Sequence, residues 1–404
     1  MPCRAMRAAA VPLHPPNSSI QQDHAMLDRE SAAKYINDLL ELMVSNRGSD
    51  LFITSDFPPA IKVDGKITPV SQQPLNPTQA LGLVRSIMNE RQVKEFDDSR
   101  ECNFAISAPK AGRFRVSAFI QQGKAGMVVR TINTRIPSVS DLDLPPTLHE
   151  IVMSKRGLVI VTGATGSGKS TTLAAMLDHR NAHSYGHIIT IEDPIEYVHA
   201  HQNCVVTQRE VGIDTESWHV ALKNTLRQAP DVILIGEIRD RETMEYAMQY
   251  AETGHLCLAT LHANNANQAI DRIVNFFPEE KRQQLLIDLS LNLKAMVSQR
   301  LLPRAGRKGR VPAVEIMIGT PLVADLIFKG EIHELKEVIK KSREQGMISF
   351  DQALFDLHES GKITYEDALR NADSLNDLRL MIKLHSATRK DSDLGAGTEH
   401  LNVI

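Results

Sequence analysis

The chain has little that would tie it to a disulfide framework, a charged polymer or a membrane. Four cysteines (Cys3, Cys102, Cys204 and Cys257) are scattered over 404 residues. None forms a C-x-x-C pair, so neither a zinc site nor a disulfide framework is readable; the pattern reads as reduced thiols in a cytosolic protein. Charge of one sign is missing as well. The 46 basic and 49 acidic residues leave a net charge of -3, which offers no electrostatic case for nucleic acid or an anionic membrane surface. No apolar run approaches the roughly 18 to 20 residues of a spanning helix. The opening MPCRAMRAAAVPLHPP places Arg4 and Arg7 before an apolar stretch too short and too interrupted by proline for a signal-peptide core. Residues 1–27 read instead as a disordered extension, with Met26 an alternative start because amphipathic sequence begins just after it.

What remains is ordinary globular material. Hydrophobic residues at 42% and charged residues at 24% fit a core that needs no covalent staples. The length suggests two or three domains. Residues 28–45 read as an amphipathic helix, with Ile36, Leu39, Leu40 and Met43 spaced by three and four. Residues 48–70 read as two short strands around Pro58-Pro59, then a hairpin turn at Asp64-Gly65. Residues 112–132 read as a second hairpin with 121–126 as its loop. Together these predict a small α/β domain over 28–132. The stretch 133–146 carries three prolines and little periodicity, and reads as a linker.

From 147 the pattern changes to short apolar runs that end in polar residues: 157–163, 187–194, 231–237 and 255–262. Helical patterns such as 217–228 separate them, which argues for a parallel sheet. After about 281 the pattern reads as mostly helical, completing a second domain over 147–385. The polar residues 386–404 read as a disordered tail.

One segment carries readable chemistry by itself. Gly163-Ala164-Thr165-Gly166-Ser167-Gly168-Lys169-Ser170, followed by Thr171, matches G-x-x-x-x-G-K-[ST]. Glycines let successive N–H groups close around phosphate oxygens, lysine reaches the β and γ phosphates, and the Ser170 hydroxyl can ligate Mg²⁺. The helix that follows points its positive end at the same anion. Such a loop needs an acid near the metal, and Glu237 at the end of an apolar strand has that form. Glu192, Asp193 and Glu196 end another strand. By spacing alone, a general base and a helix N-terminus are equally good accounts of them. His255 and His262 flank a strand seven residues apart, so they point to opposite faces and are not a simple metal pair. A polar role at the nucleotide edge is open to one or both. Arg113 and Arg115 share a strand face, with Arg130 on the partner strand. Arginine stabilises charge on a transferring phosphoryl group, often from a neighbouring subunit, but residue pattern alone favours a solvated basic strand.

Read in order, GATGSGKST (163–171), TIEDPIEYVH (190–199), ILIGEIRD (233–240) and ETGHLCLATLHANNA (252–266) resemble the Walker A, Asp box, Walker B and His box of the secretion-type, or PilT-like, ATPase superfamily. GSDLFIT (48–54) and GRFRVSAF (112–119) resemble its PAS-like domain. The similarity spans about 28–385. It implies a PAS-like domain ahead of a RecA-like P-loop domain with a helical C-terminal region. It also implies hydrolysis of ATP with Mg²⁺ in a ring hexamer that turns an inner-membrane platform protein from the cytoplasmic side. Glu192 becomes the catalytic glutamate and Glu237 the Walker B acid. His255 and His262 become the His-box pair, and Arg113, Arg115 and Arg130 become candidates for the arginines that reach toward nucleotide, in cis or in trans.

Pilus-assembly and type II secretion ATPases resemble the core but carry a paired C-x-x-C zinc insert past the His box, and no cysteine follows Cys257. That favours the retraction branch, which powers twitching motility. Ser49-Asp50-Leu51-Phe52, the run 226–231 (LRQAPD) and 332–339 (IHELKEVI) resemble the PilU type, an accessory to a PilT-type ATPase. An ATP-binding ring subunit and an assembly or secretion ATPase are the alternatives.

Overall fold

The structure, a computed structural model, describes residues 28–132 and 135–386. The expected extensions 1–27 and 387–404 lie outside the described residues. The chain divides between residues 133 and 134 into two compact units.

The first unit runs α1 (Arg29–Ser45), β1 (Asp50–Thr54), β2 (Ala60–Val63), β3 (Lys66–Pro69), α2 (Pro77–Ser86), α3 (Glu90–Ser99), β4 (Glu101–Ala108), β5 (Gly112–Gln121) and β6 (Lys124–Ile132). The helices start where the sequence supplies caps. Asp28 accepts from Ser31 N, and Asn76/Gln79 and Asn89/Gln92 form reciprocal capping boxes. The strands form one antiparallel sheet in the order β3-β2-β1-β6-β5-β4. Side chains alternate across it: Leu51, Ile53, Phe114, Val116, Met127 and Val129 are buried in the core with α1 and α2 residues. Phe52, Arg115, Ser117 and Val128 fall on the other face and are partly or fully accessible. Both hairpins turn on two residues with positive φ: Asp64-Gly65 (49° and 80°) and Gln122-Gly123 (49° and 74°). This is the turn whose twist matches antiparallel strands. The second is therefore tighter than the expected 121–126 loop.

The second unit runs α4 (Thr147–Val152), β7 (Gly157–Thr162), α5 (Lys169–His183), β8 (Gly186–Glu192), β9 (Cys204–Glu210), α6 (Trp218–Thr225), β10 (Val232–Ile235), α7 (Arg241–Glu252) and β11 (Leu256–Leu261). It continues with α8 (Ala266–Asn275), α9 (Glu279–Asn292), β12 (Leu293–Pro303), β13 (Arg310–Ile318), α10 (Pro321–Lys329), α11 (Leu335–Lys341), α12 (Phe350–Glu359), α13 (Tyr365–Arg370) and α14 (Leu375–His385). Its sheet has the order β13-β12-β7-β11-β10-β8-β9. All neighbours are parallel except β12 and β13. β7, β10 and β11 are buried along their whole length, because separate hydrophobic clusters cover the two faces of the sheet.

Two expectations need correction. The region after 281 is not simply helical: β12 and β13 pair from Ala295↔Ile318 to Pro303↔Arg310 and extend the sheet. Ser298, Gln299 and Arg300 break the apolar run of β12, which hides its period. Each finds a partner in the fold: Glu315, the Ser167 carbonyl and the Asp373 carboxylate. Residues 135–146, read as a linker, are held to the second unit. Val139 and Leu144 are buried in its core. Asp143 pairs with Arg304 and, at 2.7 Å, with Lys362. These bonds hold the Asp143 carboxyl below its ordinary range, Arg304 first.

Candidate functional site

Parallel strands deliver their carboxyl ends to one edge of a sheet, and there a loop can present backbone N–H groups to a ligand. β7 ends at Thr162 beside Leu261 of β11, while Ile235 of β10 lies level with Ile191 of β8. Gly163–Ser170, Glu192, Glu237 and His262 therefore all emerge at this edge.

The loop's shape depends on its glycines. Gly163, Gly166 and Gly168 have φ of 152°, 77° and 91°, the left-handed region that other residues rarely adopt. A Cβ on Gly163 would lie 2.3 Å from Ser167 Oγ, and one on Gly168 would lie 2.7 Å from Gln299 Nε2. Lys169, Ser170 and Thr171 form the first turn of α5. Lys169 is 9% exposed, and its ammonium donates to Gly163 O at 2.9 Å and Ala164 O at 3.0 Å. The cation is thus folded back over its own loop. Burial lowers its pKa, and the nearby Glu237 carboxylate acts in the opposite sense. Ser167 Oγ is buried with no partner. Thr171 Oγ1 meets Tyr197 OH at 2.9 Å. The positive-φ cradle, the buried lysine and the orphaned hydroxyl together form a donor set for a bound oxyanion.

Glu192 ends β8. Thr190 Oγ1 donates to its carboxylate at 2.6 Å and Gln208 Nε2 at 3.2 Å. Burial nevertheless dominates and pushes its pKa from 4.5 to about 7, while those two bonds pull it down. Gly236, at the end of β10, is closely approached: a Cβ there would lie 3.2 Å from Glu192 Cα, a tight contact. That close approach sets the two acids on adjacent strand ends. Glu237 accepts from Arg239 Nε at 2.7 Å and pairs with His262 Nε2 at 3.0 Å, and Arg239 also faces Asp193 at 3.6 Å. Beside these groups lies a cleft of about 720 Å³ whose walls include Ala164, His262, Asn264, Gln268 and Arg272.

The structure separates the two histidines. His262 belongs to the site. His255 lies at the other end of β11, where its carbonyl accepts from Gly157 N and its ring faces Tyr250 O and Thr253. A strand of six residues spans roughly 20 Å, so within this chain His262 stands at the glycine-loop edge and His255 does not. Arg113, Arg115 and Arg130 share a face of the first unit's sheet. Arg115 and Arg130 stand directly opposite each other, and Arg130 Nε donates to Asp50 at 2.7 Å.

A family model described as Type II/IV secretion system protein matches residues 25–353. The chain belongs to this secretion-system family. Among its relatives, the type IV pilus ATPase PilU of Pseudomonas aeruginosa is 61% identical over 353 residues, 87% of this chain and 92% of that protein. The retraction ATPase PilT of the same organism is 43% identical over 337 residues, 83% of this chain and 98% of that protein. A crystal structure of the pilus retraction motor PilT with bound ADP superposes with a TM-score of 0.80 at 39% identity, covering 86% of this chain and 99% of that one. In this member of the secretion-system family, three side chains at the site escaped sequence reasoning. Gln299 of β12 donates to Ser167 O at 2.8 Å and accepts from Thr172 Oγ1 at 2.7 Å, clamping the loop to the sheet. Gln208 orients Glu192, and Arg239 braces Glu237. Arg239 lies two residues from Glu237 and could have been suspected. Gln208 and Gln299 come from strands that bring them in from distant sequence, and no local pattern marks them.

Proposed function

We propose that the chain is the ATP-hydrolysing subunit of a ring motor that retracts type IV pili, of the PilU kind, working beside a PilT-type ATPase. The observation that carries the chemistry is the oxyanion cradle at 163–170, with a buried lysine and two acids on adjacent strand ends. The 61% identity to PilU over 87% of the chain supports the branch.

In this reading the loop N–H groups and Lys169 bind the β and γ phosphates, with Lys169 leaving its two loop carbonyls for the ligand. Ser170 and Glu237 would hold Mg²⁺, which would supply charge neutralisation at the phosphates. Glu192 orients and deprotonates the attacking water; its pKa near 7 suits proton transfer at neutral pH. Thr190 and Gln208 fix its carboxylate, and His262 with Arg239 fixes Glu237. The arginine face of the first unit supplies positive charge to nucleotide, from a neighbouring subunit of a hexamer. The first unit corresponds to a PAS-like domain and the second to a RecA-like domain. The motor works at the cytoplasmic side of the pilus base on an inner-membrane platform protein, without zinc and without nucleic acid.

Lys169→Ala is the direct test. Hydrolysis of ATP by the purified full chain should be lost, because the phosphates lose the loop's cation. Turnover near the wild-type level would remove this loop from the mechanism.

A further inference from the structure

Arg300 follows Gln299 on β12, and its guanidinium is shared between two segments remote in sequence. Nη1 donates to Asn371 O at 2.7 Å. Nη2 donates to the Asp373 carboxylate at 2.7 Å and stands at a long 3.4 Å from Asn264 O. The guanidinium carbon lies 4.0 Å from the centroid of the Phe350 ring.

The two segments are held unequally: Arg272 Nη1 donates to His262 O at 2.9 Å and anchors the first, whereas α14 buries little. Asn264 lies two residues after His262 and immediately before Asn265, the N-cap of α8. Glu315, buried beneath, accepts from Ala266 N at 2.8 Å and from Ser298 Oγ at 3.2 Å. Asn371 and Asp373 lead into α14, which is capped by Ser374 and buries only Leu378. The start of α14 is held by polar side chains from three elements, Lys340 of α11 among them, which donates to Asp377 at 3.0 Å. Asp351 accepts from Asp373 N at 2.8 Å and Ser374 N at 3.1 Å, and Arg300 binds 371 and 373. Lys336 approaches Asp373 at 3.6 Å from α11. A helix so sparsely packed sits at the low end of local stability.

We propose that Arg300 is a positioning residue that couples the His262 loop to α14, so that nucleotide in the P-loop changes how firmly α14 is held. The inference rests on the nucleotide reading above. His262 is bound to the Glu237 carboxylate, so any rearrangement of Glu237 around a phosphate moves the loop that carries Asn264. Arg300 has a planar, rigid fork, so its bonds to Asn264 O, Asn371 O and Asp373 share one orientation of the guanidinium. A shift of Asn264 O that carries Nη2 with it tilts the whole fork and so alters its bonds to Asp373 and Asn371. Lysine in this place keeps a charge over Phe350 but has no fork with which to bridge the two segments.

The test is hydrogen exchange of α14 in the full chain, with and without ADP or a non-hydrolysed ATP analogue, alongside nucleotide affinity and steady-state kinetics. In wild type, nucleotide should change the α14 exchange rate by about fivefold or more, the low end of an allosteric coupling. In Arg300→Lys that response should vanish, with nucleotide affinity and KM retained and kcat lowered. Asp373→Asn loosens only the α14 side: exchange there should rise without nucleotide, and the response should shrink. This variant keeps the question answerable if Arg300→Lys does not fold. Wild-type protein that binds no nucleotide would sink the nucleotide reading itself. Binding with an indifferent α14, or a full response in either variant, overturns the coupling alone. Loss of protection across β12 and β13 in the nucleotide-free variants would mean that Arg300 is merely structural, and would also overturn it.

Discussion

The two sheets place functional side chains by opposite rules. In the second unit the central strands are buried on both faces, so polar groups can emerge only at strand ends. Glu192, Glu237, His262 and the glycine loop meet at one edge for that reason. In the first unit one face of an antiparallel sheet is buried and the other is not. Arg113, Arg115 and Arg130 therefore stand on a face, as a surface. A site made of strand ends is assembled within one chain; a cationic face waits for something else. Arg115 lies directly opposite Arg130, a like-charge pair that is unfavourable on a sheet. Asp50 relieves Arg130, while among the described residues neither Arg113 nor Arg115 has an ion pair. An anionic ligand from outside the unit is what would offset that repulsion.

The largest effect should come from the edge. Glu192→Gln keeps the shape and the Gln208 contact while removing the base. Turnover should fall by about 100-fold or more, the scale of a lost general base, with ATP affinity nearly unchanged. Equal loss of affinity and turnover would assign Glu192 to ligand binding or folding instead.

The face should answer differently. Arg115→Ala removes half of a like-charge pair, so the isolated fold should be no less stable. If the arginines act across subunits, turnover should still drop by about tenfold or more. Mixing this variant with Lys169→Ala protein should then recover activity, because mixed rings contain intact composite sites. No recovery in rings shown to be mixed would return Arg115 to a solvated basic strand, and the contrast between edge and face would lose its functional meaning.

The same contrast governs what the sequence revealed. The β7, β10 and β11 runs were legible because burial on both faces leaves nothing but apolar residues, and the glycine loop because its backbone geometry dictates residue type. The 28–45 helix was legible from its apolar spacing, whereas the helices capped by Asn76 and Asn89 were not read, although a cap is a local signal. β12 was not legible, since Ser298, Gln299 and Arg300 sit in a strand whose partners come from Glu315, the P-loop and residues 371–373. His255 and His262 looked equivalent in sequence. Their places at opposite ends of the strand were readable, but only the parallel register, which sets His255 beside Gly157 and Leu261 beside Thr162, tells which end meets the glycine loop. Where a side chain's role is fixed by what arrives from elsewhere in the chain, periodicity carries no trace of it.

A smaller effect is expected from Gln208. Its amide and the Thr190 hydroxyl favour the ionised form of Glu192 against burial. With a pKa of about 7, the base is increasingly protonated as pH falls, so turnover should decline on the acid side through about pH 7. Gln208→Leu removes one of the two stabilising bonds and raises that pKa further. The acid limb of the kcat profile should move to higher pH, with a severalfold loss at pH 7 that alkaline buffer recovers. A profile that keeps its midpoint in the variant would show that Glu192 ionisation does not limit turnover.

The smallest effect concerns stability, and it tests whether burial alone governs a carboxyl away from the edge. Glu315 lies in β13, 3% exposed, and its pKa rises from 4.5 to about 7, with burial the main cause. The folded chain thus holds the proton more tightly than the unfolded chain. Its contribution to stability is full below about 4.5 and is lost as pH rises through about 7, at up to about 1.4 kcal/mol per pH unit. Glu315→Gln keeps an oxygen for Ala266 N and Ser298 Oγ but cannot titrate. The wild-type melting temperature should therefore fall more between pH 5 and pH 7.5 than that of the variant, by a few degrees. The two should converge in acid, where both side chains are neutral. Parallel curves over that range would show that Glu315 is ionised in the folded chain, held by charge from Arg300 rather than raised by burial.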